Sequence, residues 1–593
     1  MVNLKTFFVC LHLLVLIQWV KAIENGTQSK GFLKQLDSST WIFGNDIWNL
    51  TQGRQYATKL WYKEKDLVGK AVGHYVSYNG AQSDLNWTSA AIVDSGSDFV
   101  NIRFTAKEGD FHWVIYDGLA GAYQYFVNHA LPTLGEFRTL WRLDNETFPN
   151  GRTSVRDGQL PPLSSYVAST KVQDETWETA NGTFLTKYDW SNFVRDTDFY
   201  GVYGDEVGSW YIPGGKDYYN GNHLKQELMI HRESQTGDAV QLNMIHGTHY
   251  QASSSDTFGA NKTWGPWLWY LNNGSKADAA LRVQQEVRAW PYSWFKDASY
   301  QSRGSVRGRL VLSDGRPAAG ATVFLGDNHP NTTALDQGRG YYYTTYADEI
   351  GAFRIDDVRT GSYGLQAWSN GGSIADVSTS LLRNDVVVSR SAVTNLQTLR
   401  WNVTSEDNTI FRVGAFDRKT TGFALSGPTP FEHGRIAKCP ANLTFVVGRS
   451  ETGHWCFGQE ALGTWTIIFS TNSSSTSTSA SASTSTSPST SNFTTTRAAK
   501  LLISLAGFAS GSSADILLNS HKIGNITSGS ALLPSSQDTY RGATRAGEWH
   551  LLEFGVEGDL LRGGGEENRL DFRVTKSTLW RGWLWDAVKL EWV

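Results

Sequence analysis

The chain has 593 residues, with 53 Lys and Arg against 57 Asp and Glu, a formal net charge of −4, 24 Trp, 58 Gly and only 3 Met. That length accommodates about three or four domains. The near-balanced charge and the lack of a basic tail argue against nucleic acid as a partner.

At the start of the chain, Lys5 supplies a positive charge and Phe7 to Val20 is an apolar run broken only by His12 and Gln18. Val20-Lys21-Ala22 offers a small-residue cleavage site, so 1–22 reads as a signal peptide. The run is shorter than the roughly 20 residues of a membrane-spanning helix, and no later apolar segment is longer. A secreted, extracellular chain with no membrane partner, beginning near Ile23, is expected. Thirteen Asn-x-Ser/Thr sequons agree with that address: Asn25, Asn49, Asn86, Asn145, Asn181, Asn261, Asn273, Asn331, Asn402, Asn442, Asn472, Asn492 and Asn525. Cys10 leaves with the signal peptide, and Cys439 and Cys456 remain. In an oxidising compartment the two most simply form one disulfide, stabilising by about 3 kcal/mol; no Cys or His partner stands at zinc spacing.

From residue 23 to about 302, short apolar runs alternate with turn residues. Ala90–Val93, Phe99–Phe104 and Phe111–Tyr116 read as strands, and the alternation continues to Leu281-Arg282-Val283-Gln284. Trp264-Gly265-Pro266-Trp267-Leu268-Trp269-Tyr270 is an aromatic strand suited either to a core or to a sugar cleft. A second unit, 303–400, opens with the strand Gly304–Val311, turns at Asp314-Gly315 and returns along Ala321–Leu325, with further strands at Gly351–Ile355 and Gly361–Trp368. The third unit, 401–593, begins near Val413–Asp417 and ends at Trp585–Trp592. Its strand Thr466–Phe469 leads into a Ser/Thr-rich insert, 470–496, too poor in apolar groups to fold alone and read as an extended loop. The fold class is all-β.

Three segments carry the chemistry: Gly135-Glu136-Phe137-Arg138-Thr139-Leu140-Trp141-Arg142, Thr186-Lys187-Tyr188-Asp189-Trp190-Ser191 and His246-Gly247-Thr248-His249-Tyr250. Arg presents a planar fork to a carboxylate. A desolvated Lys can act as a base, and His can return a proton near neutral pH. The inventory suits removal of a carbon-bound proton from an acidic sugar. Taken one at a time, each residue also has a plain reading: surface ion pairs of Arg138 and Arg142 with Glu136 or Asp144, a solvated lysine, a structural histidine.

These segments, in this order, resemble the rhamnogalacturonan lyases of polysaccharide lyase family 4, nearest to the fungal rhamnogalacturonate lyase C type. The resemblance implies a large N-terminal antiparallel β-sandwich with an open cleft on one sheet, a small fibronectin-III-like β-sandwich and a C-terminal jelly roll of carbohydrate-binding type. It also implies an endolyase that breaks the rhamnose–α-1,4–galacturonate bond of the rhamnogalacturonan I backbone by β-elimination and leaves a 4,5-unsaturated uronate, acting as a monomer without cofactor or metal. Arg138 and Arg142 match the family's Arg-x-x-x-Arg pair, for the uronate carboxylate. Lys187 matches the catalytic lysine, taken as base, and His249 the catalytic histidine, taken as acid; the assignment of the two roles stays open. A donor aimed at the charge building on the carboxylate contributes about 3–4 kcal/mol in comparable sites. His246, three residues earlier, is the reserve for His249. Leu242 and Met244 stand where the family carries aromatics, which predicts altered stacking of the sugar. Two rival readings remain: a glycoside hydrolase, which needs two flanking carboxylates such as Asp205 and Glu206, and a pectin-binding protein without catalysis.

Overall fold

The computed structural model describes residues 29–79, 83–247, 249, 256–329, 338–427, 433–471, 497–530, 533 and 535–593. The signal-peptide segment 1–22, the sequons at Asn25, Asn331, Asn472 and Asn492, Thr248 and Tyr250 of the histidine segment and insert residues 472–496 lie outside them.

The chain is all-β. Its N-terminal part holds three main sheets: a sequential five-stranded sheet within 32–66, a nine-stranded sheet whose centre is Gly208–Ile212, Thr263–Asn272 and Gly121–Asn128, and a four-stranded sheet. The four strands run in the order Ile230–Arg232, Ala239–His246, Phe137–Leu143, Gly73–Tyr78, all antiparallel. Alternation decides what each face does. On Phe137–Leu143, the side chains of Phe137, Trp141 and Leu143 enter the main core with Trp48, Trp113 and Trp269. Trp141 stacks on Trp269 at 4.5 Å between centroids, and Trp48 meets Trp269 edge-on at 5.2 Å. Trp264, Trp267 and Trp269 are therefore core residues, because their strand is central and covered by both neighbouring sheets. The opposite face of the four-stranded sheet carries Arg138, Leu140 and Arg142, with Leu140 in a small apolar cluster of Tyr75, Leu228, Val240 and Leu242.

Two expectations are corrected. Leu281–Gln284 belongs to a helix, Lys276–Ala289, capped by Ser275, whose side chain accepts from the Asp278 N–H. The helix lies on the outer face of the nine-stranded sheet, where buried Glu286 accepts from Tyr123 (3.0 Å) and Tyr292 (2.7 Å). In the second unit, Arg303–Leu312 and Thr322–Asp327 do not pair as a hairpin. The first joins Ala352–Arg359 and, in parallel, Val393–Trp401; the second joins the facing four-stranded sheet. Apolar side chains of both strands fill the core between those sheets.

The third unit is a sandwich of two five-stranded sheets. The strands flanking the insert, Gly463–Ser470 and Ala499–Phe508, lie in its two different sheets and share one core. Cys439 and Cys456 form a disulfide that clips this unit. The units are docked through both ion pairs and apolar contacts. Buried Asp217 pairs with Arg359 (2.9 Å) and Arg303 (3.2 Å), and Phe184 meets Trp580 edge-on at 4.7 Å.

Candidate functional site

The four-stranded sheet places the arginine pair. Four residues apart on one strand, Arg138 and Arg142 share a face; Arg138 lies across from Met244 and Ser77, and Arg142 across from Val240 and Gly73. Arg138 pairs with Glu136 at 3.2 Å. Arg142 donates to the Tyr75 hydroxyl (3.2 Å) and to Glu233 (2.9 Å), with Asp238 at 3.7 Å; Asp144 is not its partner. Burial alone would lower the Arg142 pKa, but Tyr75, Glu233 and Asp238 outweigh it and keep the guanidinium charged. Neither guanidinium commits its Nη2 to a hydrogen bond with a described residue. Each keeps a donor for an incoming carboxylate.

His249 follows the end of the strand Ala239–His246 through Gly247. That glycine has φ +78°, and a Cβ on it would meet the Gly135 carbonyl at 2.1 Å, so only glycine turns the chain here. His249 is 9% exposed, with ring Nδ1 3.1 Å from the Glu227 carboxylate and Nε2 3.2 Å from Arg138 Nη1. Since a guanidinium only donates, Nε2 accepts from Arg138 and the ring proton sits on Nδ1, donated to Glu227. Burial first, then Arg138, Lys187 and Arg541, hold the imidazole well below its usual pKa and therefore neutral. Burial pushes the Glu227 carboxyl up, against the pull of Lys225.

Lys187 opens the short 3-10 turn Lys187–Trp190, where the Thr186 hydroxyl accepts from the Tyr188 N–H. Its Nζ stands 5.2 Å from the Tyr188 ring centroid and makes no hydrogen bond or ion pair with any described residue. Burial lowers its pKa, partly offset by Glu175 and Asp174. Asn181, exposed on the preceding hairpin, leaves this turn clear.

The remaining sequence candidates fall elsewhere. His246 is fully buried with Nε2 3.0 Å from Asp256 and its ring edge-on to Phe258; burial brings it to about 4. Asp205 and Glu206 are exposed at the tip of the hairpin between Tyr200–Tyr203 and Gly208–Ile212, not across a cleft from each other. Leu242 and Met244 lie on the arginine face, both buried. Among the described residues no group of three or more His, Cys, Asp or Glu side chains is placed to hold a metal.

Sequence reasoning missed three contributors. Glu227 orients His249. Arg541, from the third unit, donates to the His249 carbonyl, pairs with Asp174 at 3.0 Å and lies 5.2 Å from the Tyr188 ring centroid. Asp174 in turn accepts from the Tyr188 hydroxyl at 2.7 Å. Nothing in local pattern links residues this far apart in sequence.

Residues 302–396 match domain II of polysaccharide lyase family 4, and residues 409–590 match its domain III, described as CBM-like. A rhamnogalacturonate lyase of Dickeya dadantii is 28% identical over 86% of this chain and 84% of its own length. A probable rhamnogalacturonate lyase B of Aspergillus niger is 28% identical over 63% of this chain and 60% of its own. Among solved structures, a Paenibacillus xanthan lyase is 8% identical over 96% of this chain and 52% of that one; its TM-score of 0.23 is too low to carry an argument.

Proposed function

The chain belongs to polysaccharide lyase family 4, with that family's domains II and III in order and rhamnogalacturonate lyases as relatives, and we propose that it cleaves the rhamnose–α-1,4–galacturonate bond of rhamnogalacturonan I by β-elimination. The observation that carries this reading is a neutral His249 that contacts Arg138 and feels the charge of Lys187, a buried lysine without a hydrogen bond or ion pair to any described residue, beside two guanidinium groups with donors to spare. Asp205 and Glu206, the carboxylates weighed for hydrolysis, sit together at one hairpin tip.

The uronate carboxylate docks on Arg138 and Arg142. Charge grows on it as C5 loses its proton, and donors already in place stabilise that charge. Lys187, made less basic by burial, takes the C5 proton. His249, neutral in the free protein, takes a proton from solvent on Nε2 once substrate is bound and passes it to the departing O4. Docking a carboxylate on Arg138 offsets one of the cations that hold His249 neutral, so the ring gains basicity as substrate binds. The exchanged assignment, His249 as base and Lys187 as acid, is favoured by one observation: the His249 Nε2 carries a lone pair toward Arg138 in the free protein.

We also propose that the protein is secreted, from the 1–22 pattern and the sequons. Among the described sequons, Asn86, Asn145, Asn181, Asn261, Asn273, Asn402, Asn442 and Asn525 are exposed, whereas Asn49 lies half-buried within a strand. The test is incubation of the purified protein with rhamnogalacturonan I, following ultraviolet absorbance of the conjugated unsaturated uronate. A signal lost in both Lys187→Ala and His249→Ala supports elimination and both residues. Reducing ends without absorbance make the protein a hydrolase, and binding with neither signal leaves the pectin-binding reading.

A further inference from the structure

The strand Ile230–Arg232 alternates like its neighbours. Ile230 enters the main core, and His231 turns to the face that carries the arginines. The pairing puts Gly73, Arg142, Val240 and His231 in one cross-strand row, so the backbones of Arg142 and His231 stand two strands, or about 10 Å, apart. The turn bearing Lys187 is tied to the same strand from the other side, the Met229 N–H donating to the Trp190 carbonyl at 3.3 Å.

His231 is 6% exposed, yet its Nδ1 is sealed from solvent with no hydrogen-bond partner, and its ring makes no hydrogen bond with any described residue. A buried polar group left so is destabilising and uncommon in native structures. The other histidines of this unit differ. His74 bonds Thr139 (2.7 Å), His112 bonds Asn101 (3.0 Å) and His246 bonds Asp256 (3.0 Å). His223 also lacks partners, but it is wedged between the rings of Trp368 and Tyr346, a packing role His231 does not have. The charged groups acting on His231 are Lys187, Arg142, Arg232 and Arg138, all cations, and with burial they keep the ring neutral. A neutral imidazole among cations cannot itself hold the uronate charge. It can donate to, or accept from, a sugar hydroxyl.

We propose that His231 contacts the substrate, hydrogen-bonding a hydroxyl of the sugar held beside Arg142. The proposal rests on the lyase reading above. A contact to a non-reacting hydroxyl is made equally in the ground and transition states, so its loss falls on KM rather than kcat.

The test compares wild type, His231→Phe and His231→Asn on rhamnogalacturonan I oligosaccharides, with calorimetric affinities measured in a Lys187→Ala background. His231→Phe is expected to raise KM and Kd about tenfold, with kcat within about twofold and Tm equal or higher, because it removes an unpartnered polar group. His231→Asn is expected to recover most of the affinity. Unchanged KM and Kd in His231→Phe, or equal loss in both variants, overturns the proposal, as does a fall in kcat at constant KM. Should His231→Phe not fold, His231→Leu makes the same comparison. If wild type yields no unsaturated product, the lyase reading fails, yet a tenfold affinity difference still upholds the His231 contact. If wild type does not bind the oligosaccharides, both fall.

Discussion

Arg541 reaches from the third unit to the main-chain carbonyl of His249, and its other edge holds Asp174 at 3.0 Å. Asp174 bonds Tyr188, the residue after Lys187, so one guanidinium ties together the two residues proposed to move protons. The third unit is thus part of the site's scaffold, whatever its affinity for sugar. Hydrogen bonds to charged groups contribute about 1.5–3 kcal/mol. Arg541→Ala is therefore expected to lower kcat/KM by about ten- to a hundredfold in the absorbance assay. An unchanged kcat/KM would mean that the site holds its shape without this contact.

Glu227 fixes the proton of His249 on Nδ1. Glu227→Gln keeps the shape but presents the ring with an amide that can donate as well as accept, and so permits the other tautomer. A loss of about tenfold or more in kcat is expected with little change in KM, since the substrate does not touch this buried side chain. A KM effect of the same size would place Glu227 in contact with the sugar instead.

Both role assignments need one proton on the Lys187–His249 pair, carried by His249 when Lys187 is the base and by Lys187 when the roles are exchanged. The pH dependence of kcat/KM, which reports groups of the free enzyme, therefore has the same bell shape for both. Burial lowers both pKa values, so activity is expected to rise through the His249 pKa on the acid side and to fall through the lowered Lys187 pKa on the alkaline side. Stopped-flow absorbance checks the alkaline limb: a rate that climbs and levels above the Lys187 pKa would mean that His249 supplies no proton.

Much of the fold was legible because period-2 alternation and turn residues are local signals: Phe99–Phe104 and Phe111–Tyr116 lie inside strands Phe99–Thr105 and Gly109–Tyr116. Leu281–Gln284 misled because four residues of mixed polarity fit either period, and the Ser275 cap that decides for helix lies outside them. The pairing of Arg303–Leu312 was misjudged because a turn at Asp314-Gly315 does not say which sheet the next strand joins. At the site, Arg138, Arg142, Lys187 and His249 were found through resemblance, while Glu227, His231 and Arg541 were not. Their places beside these residues arise from cross-strand and inter-unit pairing that leaves no spacing in the sequence. Cleft or core for Trp264–Tyr270 was likewise undecidable until the order of strands in the sheet was known.

Arg138 and Arg142 should respond differently to substitution by Lys. Arg138 lies against His249 and Arg142 against Tyr75 and Glu233, so in the proposed mechanism only Arg138 serves both the carboxylate and a residue that moves a proton. Arg138→Lys retains charge but loses the planar fork. It is expected to lower kcat by about a hundredfold or more, the scale of one lost transition-state donor. Arg142→Lys is expected to act mainly on KM. Equal kcat losses in the two would show that both guanidinium groups serve the transition state.

The loop that carries Arg541 is closed by a buried carboxyl. Asp538 accepts from the Glu548 N–H at 2.5 Å, and its own carbonyl accepts from the Ala543 N–H at 3.0 Å. Burial pushes its pKa up to about 8. The folded value lies above the ordinary carboxyl value of 3.8. The stabilisation from the neutral group is therefore fully present below that value and is lost as pH rises through about 8. Asp538→Asn mimics the neutral form and escapes this loss. Its Tm relative to wild type is expected to rise steadily between about pH 4 and pH 8, with the largest gain at the alkaline end. A difference in Tm that stays constant across that range would mean that Asp538 is already ionised in the folded protein, and that the Arg541 loop is held by a charge rather than by a proton.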